Sequence, residues 1–261
     1  MGLFGFLGHR TPGEYIERAQ DHYVHGLVRQ AIETYKDAIR HYPGETELHH
    51  RLAVIYLQLE ASGMARDLML EAVALNPRDA DLYYTLGRAC TALSRAGEAE
   101  DAFRRAIDLN PHLTLAYNNL SLLLAADQRV EEAIDLLLKA TEMDPDLPMP
   151  WYHLGQFFTQ QNRIGEAIEA YAHSLELDPH DALCCLNLAV LHSRFGNLEL
   201  AKELNQRAIR HNRKLLPAYT NLARIYELEG DNLHARETYE KILQLNPGDE
   251  DARRHWSNLA A

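Results

Sequence analysis

The side chains best suited to metal binding in this 261-residue chain are two adjacent cysteines and a nearby histidine. Cys184, Cys185 and His192 are close enough along one predicted helix to suggest a shared metal ion. A fourth ligand is not evident, however, and a buried thiol ordinarily behaves as a small apolar side chain. The adjacent His49 and His50 point in different directions on a helix, so they do not form a metal pair. The sequence therefore predicts no metal site and no cofactor.

Motifs that mark the common catalytic sites are absent from the sequence. It contains no GxxxxGK[ST] phosphate-binding loop, no HExxH zinc motif and no GxSxG nucleophile motif. Pairs of Asp and Glu are frequent, but on amphipathic helices such residues usually lie in solvent. We therefore expect a protein that is not an enzyme.

The composition is that of a folded protein with an acidic surface. Hydrophobic residues make up 46% of the chain and charged residues 25%, and 38 acidic side chains outnumber 26 basic ones. A net charge of −12 argues against nucleic acid as a partner, because binding phosphates requires clustered Lys and Arg. The three cysteines are too few for a disulfide framework, which favours a reducing compartment. No apolar run approaches the ~20 residues that a membrane-spanning helix needs.

Residues 1–11 form an apolar N-terminal tail. Leu3, Phe4, Phe6 and Leu7 could make a weak contact with a membrane surface, or they could pack on the first helices. The tail lacks the basic region and cleavage site of a secretory signal. We therefore expect a cytoplasmic location, which is peripheral at a membrane if the tail contacts lipid.

The chain repeats a pattern every 34 residues. Five prolines keep this interval, and a sixth follows after two periods: Pro43, Pro77, Pro111, Pro145, Pro179 and Pro247. Alanine keeps the same interval in all seven repeats: Ala31, Ala65, Ala99, Ala133, Ala167, Ala201 and Ala235. A second small residue lies twelve positions before each alanine: Ala19, Ala53, Gly87, Ser121, Gly155, Ala189 and Ala223. Three aligned columns indicate an internal repeat.

Each column has a physical role in a pair of helices. The repeats are counted from Pro12, Thr46, Ala80, Thr114, Pro148, Ala182 and Leu216. The small residues then fall at positions 8 and 20, where they allow two helices to approach closely. Apolar residues at positions 4, 7, 8 and 11 follow the helical period. Glycine at position 15, as in Gly26, Gly196 and Gly230, predicts the end of the first helix. Asn-Pro or Asp-Pro predicts the end of the second.

These columns resemble the tetratricopeptide repeat, a family with a 34-residue pattern. The resemblance implies an all-α fold, an α-solenoid in which antiparallel helix pairs stack into a right-handed superhelix. It covers seven tandem repeats at about 12–45, 46–79, 80–113, 114–147, 148–181, 182–215 and 216–249. Residues 250–261 are expected to form a C-terminal capping helix, which the end of a solenoid requires.

The resemblance also implies where a partner binds. In the family, positions 2, 5, 6, 9, 12 and 13 of each unit line an inner groove. In the fourth and fifth repeats these positions carry no formal charge, so we expect a neutral peptide or partner segment there. The residues expected to form the peptide groove are Tyr84, Arg88, Asn118, Asn119, Tyr152, His153, Gln156, Asn187, Asn221 and Arg224.

Asparagine recurs at position 6, as Asn119, Asn187 and Asn221. A carboxamide can donate to a carbonyl and accept from an amide, so it can clamp a peptide bond. The pattern is partly similar to the asparagine ladder in the repeat region of the O-linked N-acetylglucosamine transferases, which grips extended substrates by their backbone. Alternatively, these are solvated polar residues on a helix face.

Two arginines of the expected groove could bind a partner's carboxylates through paired hydrogen bonds. These are Arg88 and Arg224. The alternative is an ion pair within the same repeat, of Arg88 with Asp81 and of Arg224 with Glu227.

The sequence is consistent with two functions. The first is a scaffold for protein binding that holds an extended peptide or partner segment in the groove. The alternative is a structural subunit of a membrane-associated or secretion-type complex. Such a subunit would dock through the N-terminal apolar segment or by self-association.

Overall fold

The computed structural model describes residues 10–259, and this part of the chain forms fifteen α-helices and no β-strand. The helices are α1 (Pro12–Val24), α2 (Val28–His41), α3 (Thr46–Gln58), α4 (Ser62–Leu75), α5 (Ala80–Ala92), α6 (Ala96–Leu109), α7 (Thr114–Ala126), α8 (Val130–Met143), α9 (Pro148–Gln160), α10 (Ile164–Leu177), α11 (Ala182–Arg194), α12 (Leu198–His211), α13 (Leu216–Leu228), α14 (Asn232–Leu245) and α15 (Glu250–Asn258). The predicted all-α fold is confirmed. Among these helices, none is long and apolar enough to cross a membrane.

Most of the predicted apolar tail lies outside the described residues. Leu3, Phe4, Phe6 and Leu7 all precede residue 10. Their contact with a membrane or with the first helices therefore stays a prediction, and so does the alternative role in a membrane-associated complex.

The chain divides into two compact units, Met1–Leu136 and Leu137–Ala261. In the first unit α1 packs on α2, α3 on α4 and α5 on α6, and in the second unit α9 packs on α10, α11 on α12 and α13 on α14. Within each unit the second helix of a pair also contacts the first helix of the next pair, as α2 contacts α3 and α12 contacts α13. Successive pairs thus share their apolar surfaces, which is how repeats without a core of their own become stable.

Every first helix ends in the same turn, in which position 15 takes a left-handed backbone conformation. Glycine fills this position at Gly26, Gly196 and Gly230, with φ between 74° and 76°. The N–H of the next residue donates to the carbonyl five positions back, as Leu27 does to His22 at 2.8 Å. This is the Schellman arrangement that closes a helix. The four other turns hold side chains at positive φ, between 56° and 63°: Glu60, Ser94, Gln128 and Asn162.

Five of the second helices, α4, α6, α10, α12 and α14, end in a turn held by a side-chain oxygen. The Asn or Asp after the helix accepts a hydrogen bond from the backbone N–H two positions on, as Asn76 does from Arg78 at 3.4 Å. Asn212 makes the same bond to Lys214 at 3.0 Å, although Arg213 replaces the usual proline. The asparagine is therefore sufficient to form this turn without proline.

The two helices of a pair come into contact where position 8 lacks a side chain. A Cβ added to Gly87 would lie 2.6 Å from the ring of Phe103, which is buried at position 24. A Cβ on Gly155 would likewise lie 2.6 Å from the ring of Tyr171. The ring of the second helix thus occupies the space of a side chain on the first.

Within the second unit, a carboxylate and two aromatic contacts hold the C-terminal helix α15 on the last helix pair. Glu227 of α13 accepts a hydrogen bond from the hydroxyl of Tyr239 at 3.1 Å, and it lies 2.9 Å from Nδ1 of His255 on α15. The rings of Tyr239 and His255 stack at 5.2 Å, and the guanidinium of Arg236 lies 4.6 Å from the ring of Trp256. These contacts cover the apolar end of the last helix pair.

Relief of the left-handed strain should stabilise the fold. We expect Glu60→Gly to raise the free energy of unfolding by about 1 kcal/mol, because an L-residue pays this cost in the left-handed region and glycine does not. Asn162→Gly should gain less, because asparagine tolerates this conformation. The urea midpoint measures both changes. Gly196→Ala is the reverse control and should lower the midpoint; an unchanged midpoint in Glu60→Gly would contradict the argument.

Closing the gap at position 8 should destabilise the helix pair. We expect Gly87→Ala to lower the free energy of unfolding by about 1–3 kcal/mol, because the added methyl group overlaps the Phe103 ring. Gly97→Ala on α6 is the matched control, since its Cβ would meet nothing within 4 Å. Replacing Phe103 by Leu in the Gly87→Ala background should recover part of the loss. Urea denaturation of the wild type, Gly87→Ala, Phe103→Leu and the double variant tests this, with Gly97→Ala measured alongside, and additive changes in the double variant would refute the steric explanation.

Candidate partner-binding surface

We define the first-helix face as the side chains at positions 2, 5, 6, 9, 12 and 13 of the odd-numbered helices α1 to α13. Each unit of the structure presents its own part of this face. The first unit carries Tyr84, Arg88, Asn118 and Asn119 of the predicted residues. The second unit carries Tyr152, His153, Gln156, Asn187, Asn221 and Arg224.

In the first unit, polar side chains of neighbouring first helices are paired at an interval of 35 residues. His50 Nε2 lies 2.9 Å from Oγ1 of Thr85, and Nδ2 of Asn119 donates to the hydroxyl of Tyr84 at 3.3 Å. In each pair, position 5 of one repeat meets position 6 of the next. The same Nδ2 of Asn119 also donates to the carbonyl of Leu115 at 2.8 Å. Both hydrogens of this amide are therefore used within the fold.

Asn118 occupies a different environment from its neighbour. Its side chain is only 2% exposed, whereas Asn119 is half-buried. Asn118 is not accessible for direct contact with a partner.

In the second unit, Tyr152 is the centre of a polar network. Its hydroxyl accepts hydrogen bonds from Nε2 of Gln156 at 3.0 Å and from Nδ2 of Asn187 at 3.4 Å. Gln156 Oε1 in turn lies 3.0 Å from Nδ1 of His153. Burial lowers the pKa of His153, which keeps the imidazole neutral, and burial raises the pKa of the Tyr152 hydroxyl. The network holds its members in fixed positions.

Asn221 makes a contact with the interior of the second unit. Its Nδ2 donates at 3.3 Å to Oδ1 of Asn205, which is fully buried at position 24 of the preceding repeat, where other repeats have an aromatic ring, Met or Leu. Position 5 of that repeat is Leu186, which offers no acceptor. The third asparagine therefore bonds to the core amide of the preceding repeat instead.

The asparagine clamp expected from the sequence needs a free donor and a free acceptor on each amide. Each Nδ2 of Asn119, Asn187 and Asn221 already donates to a group of its own unit. Asn119 uses both Nδ2 hydrogens in this way and offers a partner its side-chain oxygen, whereas Asn187 and Asn221 use one hydrogen each and offer the second hydrogen as well as the oxygen.

The predicted arginines form no ion pairs within the described chain. Arg88 and Arg224 are exposed, and among residues 10–259 neither lies within ion-pair distance of a carboxylate. Arg88 instead lies over the ring of Tyr84, with Cζ 5.8 Å from its centre. Glu227, the expected partner of Arg224, is bound to Tyr239 and His255 instead.

A trough of about 610 Å³ opens between α1 and α3 on the first-helix face of the first unit. Tyr23, Val24, Val54 and Ile55 contribute apolar surface to it, and Val24 is 81% exposed. This trough lies outside the fourth and fifth repeats, where the sequence predicted a neutral groove. Its sign in the sequence was valine at position 13 of the first repeat and at position 9 of the second.

The cysteines considered as metal ligands lie in the core of the second unit. Cys184 and Cys185 are fully buried, and burial raises the pKa of both thiols. Among the described residues, no group of three His, Cys, Asp or Glu side chains could hold a metal ion. Both cysteines pack as apolar side chains in the second unit.

Charges on and beside the second helices form ion pairs. Arg66 pairs with Glu98 at 2.7 Å, and Arg129 pairs with Glu100 at 2.9 Å and Glu132 at 2.7 Å. Hydrogen bonds from Arg66 lower the pKa of Glu98. These charges are therefore neutralised within the fold.

The stability of the first unit should depend on pH through His50. Burial lowers the pKa of His50 below its usual value, although Asp81 and Asp79 act in the opposite direction. The unfolded chain then binds more protons in mild acid, so stability is lost as the pH falls below about 6.5. We expect His50→Gln to reduce the drop in urea midpoint between about pH 7.5 and pH 5.5. His112→Gln, at an exposed site, is the control and should leave the drop unchanged.

Models of known protein families match the chain along most of its length. Three family models, each described as tetratricopeptide repeat, match residues 158–225, residues 16–80 and 63–114, and residues 115–147 and 216–249. No curated protein sequence matches the chain significantly.

Several solved structures share the fold at low sequence identity. PilF of Pseudomonas aeruginosa is 20% identical, with a TM-score of 0.73 over 82% of this chain and 97% of that one. YrrB, described as a TPR protein with an unusual peptide-binding site, is 18% identical, with a TM-score of 0.61 over 73% and 97%. Yeast Tom70 is 18% identical, with a TM-score of 0.62 over 97% of this chain and 55% of that one. The resemblance predicted from the sequence is confirmed: the chain belongs to the tetratricopeptide repeat proteins, whose fold is generally a module for protein–protein interaction.

Proposed function

We propose that the first-helix face binds an extended segment of a partner protein without catalysing a reaction. The observation that carries the proposal is the exposed apolar surface of the first helices, where Val24, Leu115 and Met149 lie at positions of the first-helix face. Second helices also expose apolar side chains, such as Leu70, but these lie among charges that form ion pairs, such as Arg66 with Glu98. Exposed apolar groups beside polar rims are typical of interaction sites.

Position 2 of the first helices supplies part of this apolar surface. In the first unit Leu115 is 42% exposed, and in the second unit Met149 and Leu183 are exposed as well. A partner segment that covers the exposed side chains of either unit gains the hydrophobic free energy of their burial. The side-chain oxygen of Asn119 in the first unit, or of Asn187 in the second, can accept a hydrogen bond from its backbone.

The expected affinity is moderate. An extended segment loses conformational freedom when it binds, and this cost offsets much of the contact energy. YrrB, which shares the fold, is described as having a peptide-binding site, and this precedent agrees with a peptide ligand. The proposal for this chain depends on its own exposed residues.

Loss of the apolar surface should weaken partner binding. We expect Leu115→Asp to reduce the recovery of co-purified partners at least about tenfold, because a carboxylate at the interface centre opposes burial. Leu70→Asp is the matched control, since Leu70 is 41% exposed but lies on the second helix α4. Quantitative mass spectrometry of proteins captured on the tagged chain measures the ratio.

Folding of both variants is checked by the urea midpoint. Aspartate at position 2 lies in the first turn of α7, where a negative charge is favourable, so Leu115→Asp should remain folded. Equal recovery of partners by the two folded variants would contradict the proposed binding face. Loss in Leu70→Asp alone would assign binding to the second helices.

A further inference from the structure

We propose that the first unit selects partner segments by two groups: a large apolar side chain in the α1–α3 trough and a carboxylate at Arg88. The inference rests on the proposed function and names the chemistry of the partner that this part of the face accepts.

Two pairs of polar side chains that line the trough are bonded to each other. Arg51 donates from Nε and Nη2 to one oxygen of Glu47 at 2.9 and 2.7 Å, and the hydroxyl of Tyr23 bonds to the side chain of Gln58. The trough therefore offers a partner an open apolar surface, of which Val24 is the most exposed part. Such a surface favours an uncharged, large side chain.

Arg88 lies close to the trough because α3 and α5 are joined at this point. His50, which lines the trough, lies 2.9 Å from Oγ1 of Thr85. Arg88 follows Thr85 by three residues on α5, so the two share a helix face and are one turn apart. An extended partner that leaves the trough toward α5 passes Arg88.

The guanidinium of Arg88 is held in place but has no carboxylate partner. It lies 5.8 Å from the ring centre of Tyr84, whose hydroxyl is fixed by Asn119 at 3.3 Å. Among residues 10–259 no acid pairs with it. A planar guanidinium on a fixed aromatic platform is suited to bidentate binding of a carboxylate.

The spacing of the two groups defines a sequence preference. Neighbouring helix axes lie about 10 Å apart, so the middle of the trough, between α1 and α3, is about 15 Å from α5, which an extended chain spans with about four or five residues. The partner segment should therefore carry Asp or Glu about four or five residues from its large apolar residue.

Charge complementarity identifies the occupant as another protein. Residues 1–9 of this chain contain no Asp or Glu, so the N-terminal segment has no carboxylate to offer Arg88. We therefore commit to a partner segment, and the chain's own tail and a second copy of the chain become outcomes of the test.

The experiment is selection of a displayed library of random 12-residue peptides on the immobilised full-length chain. We expect enriched sequences to carry a large apolar residue and an acid at the stated spacing. On Arg88→Glu the selected acid should change to Lys or Arg while the apolar residue persists. On Val24→Asp, at a highly exposed site, the apolar preference should disappear.

Arg105→Glu is the matched control. Arg105 is exposed and lies 5.9 Å from the ring centre of Tyr83, the same geometry as Arg88, but it is on the second helix α6. A selected peptide, fluorescein-labelled and measured by anisotropy, should bind Arg88→Glu at least about tenfold more weakly and Arg105→Glu equally well. Exchanging its acid for lysine should restore binding to Arg88→Glu.

Several results would overturn the inference. Enriched peptides without an acid, or equal affinity for Arg88→Glu and wild type, would remove the role of Arg88. Binding that appears only after deletion of residues 1–9 would assign the trough to the chain's own tail. Self-association in sedimentation that Val24→Asp abolishes would assign it to a second copy.

The same data separate this inference from the proposed function. Peptides whose binding is lost in Leu115→Asp but kept in Arg88→Glu would leave the first-helix face as the binding surface and refute only the two-group preference. If no version of the chain enriches any peptide, both proposals fail.

Discussion

The close contact between the two helices of a repeat is the constraint on which the other features depend. At Gly87 and Gly155 the space of a side chain is taken by a ring from the paired helix, so the two backbones reach a separation that only a small residue allows. A repeated contact of this kind fixes the relative position of first and second helices in every pair. It also explains why each turn must reverse within a few residues, even where Glu60 or Gln128 pays the cost of a positive φ.

A constant register between pairs has a second consequence on the first-helix face. Because successive first helices are offset by one period, position 5 of one repeat lies beside position 6 of the next within each compact unit. Three such pairs of polar side chains form contacts. Such pairs, each 35 residues apart, are His50 with Thr85, Tyr84 with Asn119, and Tyr152 with Asn187. The polar character of this face therefore belongs largely to the fold.

The sequence was sufficient for the helices because each column of the repeat has a single physical cause. Alanine at position 20, for example, is fully buried in Ala31 and Ala235, as a close helix contact requires. The site was harder to predict, because a column indicates the direction of a side chain but not its neighbour in the next repeat. The internal bonds of Asn119 and the burial of Asn118 depend on that neighbour. The trough likewise depends on how α1 and α3 meet.

Internal satisfaction of polar groups determines what remains for a partner to contact. A partner gains little by accepting a hydrogen bond from an amide N–H that already donates within the fold, because the new bond breaks an equivalent one. Recognition must then rely on surfaces and charges that the fold leaves unpaired. In the first unit these are the open apolar trough beside Val24 and the guanidinium of Arg88, which is held by Tyr84 without neutralisation. Such a division gives affinity from apolar burial and specificity from one fixed charge, independently of the asparagine column.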